Sequence, residues 1–117
     1  MALIVSTPDP AVLLKAFKDK IDQGRIRSWS YDADSDFTMT HPDWKDLAWM
    51  RPNVMSDRIV FNFLATQDRP TTREVYALYH SRMIETLLAS LDTLFEAARM
   101  SSQPVPGDVI TKGQGED

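Results

Sequence analysis

Thr71-Thr72-Arg73-Glu74 opens the stretch that most limits what this chain can fold into. Thr71 can accept from the free amides of a first helical turn, and Glu74 can reach back to it, the reciprocal pattern of a capping box. From there to about Met100 no proline or glycine interrupts a helix. At about 100° per residue, Tyr76, His80, Met83, Ile84, Leu87, Leu91, Leu94, Phe95 and Ala98 gather on one broad arc, with Arg82, Glu85, Asp92 and Glu96 opposite. The pattern predicts one amphipathic helix over 73–98, whose apolar flank needs a covering layer.

The rest of the chain supplies that layer. From Ile26 the apolar period is two: Trp29 and Tyr31 alternate with Ser28 and Ser30, and Phe37 and Met39 with Thr38 and Thr40. A third run covers Leu47 to Arg51, with Pro52 expected to end it. Arg58 to Ala65 is the most strand-like stretch of all. Short loops between these runs favour an antiparallel meander. Ahead of them, Asp9-Pro10 starts a helix, Leu13, Phe17 and Ile21 recur at four-residue spacing, and Gly24 supplies a left-handed stop. The expected fold is α+β and two-layered: helix, four-stranded antiparallel meander, long helix, with both helices on one sheet face. Residues 1–100 form a single domain, and 101–117, rich in Pro, Gly and polar residues, read as a disordered C-terminal tail.

Composition narrows the function classes. Of 117 residues 43% are apolar, enough for a core, and the formal net charge is -4. No dense basic block is present, so nucleic-acid binding through phosphate contacts is not expected. With no cysteine there is neither a disulfide framework nor a thiolate metal site. No run approaches the roughly 20 apolar residues of a membrane span. The apolar start is too short for a secretory leader. A soluble cytoplasmic protein is expected.

Several residues are candidates for a site. Asp32, Asp34 and Asp36 fall at positions one, three and five of a calcium-loop pattern, with Asp43 at twelve. Phe37 stands where that loop needs glycine, and the segment lies between strand patterns, so an acidic hairpin turn is favoured over a metal site. His80 falls inside the apolar arc, where an unpaired imidazole is costly. It is either a neutral histidine bonded to a carbonyl, a tyrosine or a strand side chain, or a ligand-facing group. In the second case Tyr79, Arg82 and His41 are its candidate companions at a binding pocket. Val75, Leu78 and Tyr79 lie outside the main arc, which implies that the start of the helix is covered a second time, by the segment Leu3-Ile4-Val5, by the tail or by another subunit. Val60 and Leu64 add apolar surface to the outer sheet face, and together these features point to a homodimer. No nucleophile elbow, phosphate loop or dinucleotide fingerprint is present, and no catalytic residue or cofactor is expected.

The segments GRIRSWSYDADSDFT, WKDLAWMRP and VYALYHSRMIETLLASLD are similar to a group of small uncharacterised bacterial proteins, mostly proteobacterial. The likeness covers about Gln23 to Phe95. In that group a tryptophan-rich sheet precedes a helix carrying Tyr-His and Ile-Glu, matched here by Tyr79-His80 and Ile84-Glu85. Ser81 stands where the group has glycine. The resemblance implies no activity, cofactor or site residue. The resulting expectation is a small non-catalytic interaction or regulatory domain, homodimeric. The alternative is a small-molecule or metal-binding domain, conceivably an enzyme, with its site around His80.

Overall fold

The computed structural model describes residues 2–112. Its elements are β1 (Ala2–Ser6), α1 (Pro10–Asp22), β2 (Trp29–Tyr31), β3 (Phe37–Met39), β4 (Ala48–Val54), β5 (Arg58–Ala65), α2 (Arg73–Ser90) and β6 (Ala97–Met100). The strands form one antiparallel sheet in the order β2-β3-β4-β5-β1-β6. The fold is α+β, and the meander β2 to β5 is present. Two further strands extend it, so the sheet has six strands where four were expected.

Buried residues of both helices join one core cluster with the sheet. Leu13 and Phe17 of α1 are buried, and the Phe17 ring packs 4.5 Å from Phe37 of β3. Tyr79, Met83 and Leu87 of α2 are buried with them. Trp29 meets Tyr79 edge-on at 5.6 Å, and its indole N–H donates to the Thr86 hydroxyl at 3.0 Å. Leu3, Val5, Ile59, Phe61 and Phe63 complete the core from the middle of the sheet. α1 begins where Asp9 accepts from the Val12 amide ahead of Pro10, and the chain leaves it through Gly24 at φ 73°.

The long helix is shorter than its apolar arc. α2 ends at Ser90, a 3₁₀ turn spans Asp92–Leu94, and Ala97–Met100 form β6, paired with Ser6–Leu3 of β1. The same arc residues still meet the core: Leu91 is enclosed, and Leu94, Phe95 and Ala98 pack against it half-buried. The apolar arc thus finds core contacts in turn and strand as well, and the choice falls to pairing. β1 is a buried strand, with Leu3 and Val5 fully enclosed, and its second edge needs backbone partners. The switch is fixed by the Thr7 hydroxyl donating to the Leu94 carbonyl at 2.7 Å and by the Glu96 amide donating to Ser6 at 2.8 Å.

Pro52 does not end the third run. β4 continues to Val54, opposite Ile59 of β5. β3 reaches β4 only at Phe37↔Met50, so beyond Met50 the second edge of β4 is open, and a residue without an amide hydrogen is tolerated there.

The described part of the expected tail, 101–112, hydrogen-bonds to the sheet and to the start of α2. β1 reaches only as far as Ala2, opposite Asn62. Beyond that point Val109 takes its place beside β5, donating to the Phe63 carbonyl and accepting from the Ala65 amide, each at 2.8 Å. Asp108 accepts from the Asn62 side chain at 2.8 Å and from the Phe63 amide at 3.0 Å. Gly107, at φ 99°, lies so near the Asn62 side chain that a Cβ would sit 3.0 Å from it. The remainder of the expected tail lies outside the described residues.

Candidate functional site

The acidic turn joins β2 to β3. Asp32 folds it by accepting the amides of Asp34 at 2.9 Å and Asp36 at 3.0 Å, and Ser35 takes a left-handed φ of 63°. One carboxylate oxygen from each of Asp32, Asp34 and Asp36 can come within 4.8 Å of the others. Asp36 is nevertheless buried and held by Arg51 through two hydrogen bonds, and Asp32 is occupied with the backbone. Asp32 thus holds the turn's own shape, and Asp36 ties it to β4.

The residues suggested for a pocket around His80 do not converge. His80 is buried, with Nδ1–H donating to the Tyr76 carbonyl at 2.7 Å and its ring stacked 5.5 Å from Phe63. Tyr79 is fully buried; its hydroxyl lies 3.1 Å from that of Thr38 and donates to the Trp44 carbonyl. Burial pushes the Tyr79 phenol above its ordinary pKa, partly offset by its hydrogen bond with Thr38. Arg82 is exposed and paired with Glu85 on its own helix. His41 is exposed and accepts the Asp43 amide. None of the four lines either of the two clefts at the start of α2.

The second covering of that helix comes from the chain itself. Val75 and Leu78 are half-buried against the core. The loop between β3 and β4 lies over this end, its Trp44 carbonyl taking the Tyr79 proton. Trp44 and Leu47 also share a cleft of about 260 Å³ with Val75. Tyr79 is enclosed, while Val75 and Leu78 keep part of their surface exposed.

A larger groove opens beside the same helix start. The N-cap is Thr72, whose hydroxyl accepts the Val75 amide at 3.1 Å. Thr71, expected in that role, instead binds the C-terminal segment: its amide donates to the Thr111 carbonyl at 2.7 Å, and its hydroxyl accepts the Thr111 amide at 2.9 Å. Between this helix start and the returning segment lies a groove of about 510 Å³, with Arg73, Tyr76 and Ala77 on one wall and Pro104 and Ile110 on the other. The Tyr76 ring packs edge-on to Phe63 at 5.0 Å and lies 4.8 Å from His80. Its hydroxyl is the one buried side-chain polar atom without a hydrogen-bond partner among the described residues. Burial, with a smaller contribution from the Asp108 charge, pushes the Tyr76 phenol up to about 12. For Asp108 burial acts to raise the carboxyl, but hydrogen bonds, including those from Asn62, Val105 and Phe63, hold it below its ordinary value.

Tyr76 stood in the sequence as one more residue of the apolar arc, and Arg73 as part of a capping box. The signal that could have found them is Val105-Pro106-Gly107-Asp108-Val109-Ile110, apolar residues around a turn, which is more than a solvated tail needs. Comparison with protein-family models, with curated proteins and with solved structures finds no match to the chain. No helix among the described residues is long and apolar enough to cross a membrane.

Proposed function

We propose that the protein is a non-catalytic domain that binds a small molecule in the groove between the start of α2 and the C-terminal segment. The observation that carries this is the Tyr76 hydroxyl, buried and without a hydrogen-bond partner among the described residues. An unpaired buried donor costs about 1–3 kcal/mol, and natural structures keep few of them. An acceptor on a ligand would relieve that cost. The groove volume of about 510 Å³ falls within the roughly 300–1,000 Å³ of small-molecule sites. The hydroxyl has no exposed surface, so a ligand acceptor reaches it together with an outward shift of the neighbouring Ser102–Pro104 stretch, whose residues are exposed. A non-catalytic role is favoured because Tyr79, His80 and Asp36 are each engaged in holding the fold.

The test is a titration of the isotope-labelled full chain with a panel of amino acids, organic acids, sugars and nucleosides, followed by amide NMR. At least one panel member should shift signals of residues 71–77 and 102–104 and raise the melting temperature. Tyr76→Phe, without ligand, should be as stable as wild type or more so, and should bind more weakly. The proposal fails if no panel member moves those signals, or if Tyr76→Phe binds as tightly as wild type.

A second reading, an interaction domain working as a homodimer, is favoured by the outer edge of β6. It ends the sheet with no further strand beside it among the described residues. Antiparallel pairing of β6 with its copy about a two-fold axis would close this edge. Centring the pair on Arg99 would oppose two guanidinium groups, so Ala97 or Ala98 is the favoured centre. Light scattering after size exclusion should then give twice 13.3 kDa, reverting to that mass in Ala98→Pro. A monomer at every concentration, or a dimer that survives the substitution, would exclude pairing through this edge.

A further inference from the structure

On the premise that the groove is a ligand site, we infer that its ligand is a metabolite-sized organic acid with an apolar body, its carboxylate read by Arg73. The chain carries 17 acidic and 13 basic side chains; among the described residues Lys15 pairs with Asp19, Arg51 with Asp36, Arg58 with Asp57 and Arg82 with Glu85. Arg73 is exposed and without an ion pair among the described residues. Among the described residues it is also the one charged residue lining the groove. Its neighbour Glu74 lines the smaller cleft, on the far side of Thr71 and Thr72. Asp108 acts on the Tyr76 hydroxyl from behind the groove, and its carboxylate is taken up by Asn62 and by the Val105 and Phe63 amides.

A guanidinium matches a carboxylate through two parallel hydrogen bonds. A single arginine gives a phosphate dianion only partial neutralisation, which favours the carboxylate. Away from Arg73, the walls at Ala77, Pro104 and Ile110 offer apolar surface. An acid with a short alkyl or aryl body fits both features: a cation at Arg73 and an apolar flank.

The test is an NMR titration of the full chain with hexanoate and phenylacetate, against hexanol and phenylacetamide as neutral counterparts and phenyl phosphate as the competing anion. The acids should shift signals of residues 71–77, 102–104 and 110, and bind at least about tenfold more tightly than their neutral counterparts, a difference well within one charge-assisted contact. Arg73→Gln should abolish that preference, and Arg73→Lys should keep part of it. Neutral compounds that bind the groove as well as the acids, phenyl phosphate binding more tightly than phenylacetate, or a preference that survives Arg73→Gln would each overturn the ligand class while leaving the groove in place. Absence of groove shifts with every probe here and with the wider panel would remove the groove itself.

Discussion

Arg51 holds Asp36 by both ends of its guanidinium, Nε to Oδ1 at 2.9 Å and Nη2 to Oδ2 at 2.7 Å. The carboxylate side chain is only 7% exposed while the arginine is 48% exposed, so the pair sits at the border between core and water. Removing the arginine leaves a nearly enclosed charge. Arg51→Met should lower unfolding free energy by about 1–2 kcal/mol, less than a fully buried pair because water reaches the guanidinium side. Urea denaturation with an unchanged m-value checks this. With Asp36 engaged in this way, added calcium or chelator should leave the midpoint where it was; a calcium-dependent rise would show that the turn recruits a cation.

Tyr79→Phe tests the join between α2 and the loop that covers it. The substitution keeps the ring against Trp29 and Phe63 but removes the proton given to the Trp44 carbonyl and the contact with Thr38. A loss of about 1–3 kcal/mol is expected. Hydrogen exchange should accelerate at residues 44–48 more than in α1. A uniform change across the sheet would point to a packing effect instead.

The C-terminal segment should respond to acid. The Asp108 carboxyl is held below its ordinary value in the folded chain. Its contribution is therefore complete above the unfolded pKa of about 3.9 and is lost as pH falls through the lower folded value. Asp108→Ala should lower stability by about 1–3 kcal/mol, with the Phe63 amide losing its partner. The variant should also flatten the acid limb of a stability–pH curve. An acid limb identical to wild type would remove Asp108 from this role.

At the other end of the pH scale the sign reverses. The Tyr76 phenol rises to about 12 on folding, so between its ordinary value near 10 and that figure the folded chain binds more protons than the unfolded one. Stability must then fall as pH rises through this window. Tyr79, also raised by burial, adds to the same loss. Tyr76→Phe should melt less steeply with pH than wild type above about pH 10. Equal slopes would mean that the hydroxyl is already reached by solvent.

The parts of this fold that were legible in the sequence are those encoded by neighbours along the chain. The alternation around Trp29, Phe37 and Phe61, joined by short loops, leaves little choice but a meander. Asp9-Pro10 and Gly24 mark α1 by backbone chemistry that acts within one turn. The end of α2 was not legible for a physical reason: Leu91, Leu94, Phe95 and Ala98 satisfy the helical arc and also meet the core in the turn and strand that replace it. Only β1, far away in the chain, decides between the two. The groove was hidden for the same reason, since Arg73 and Tyr76 acquire their surroundings from residues 102–110, a stretch whose proline and glycine content resembles that of a loose end.

β1 lies between β5 and β6, so the first strand to be made is enclosed by two that are made later. During synthesis it has no neighbour until β5 emerges, and its second edge stays open until β6 follows. Such distant pairing delays folding and leaves an apolar edge unguarded meanwhile. Growth of the nascent chain, rather than any local step, therefore sets the moment at which this sheet can close.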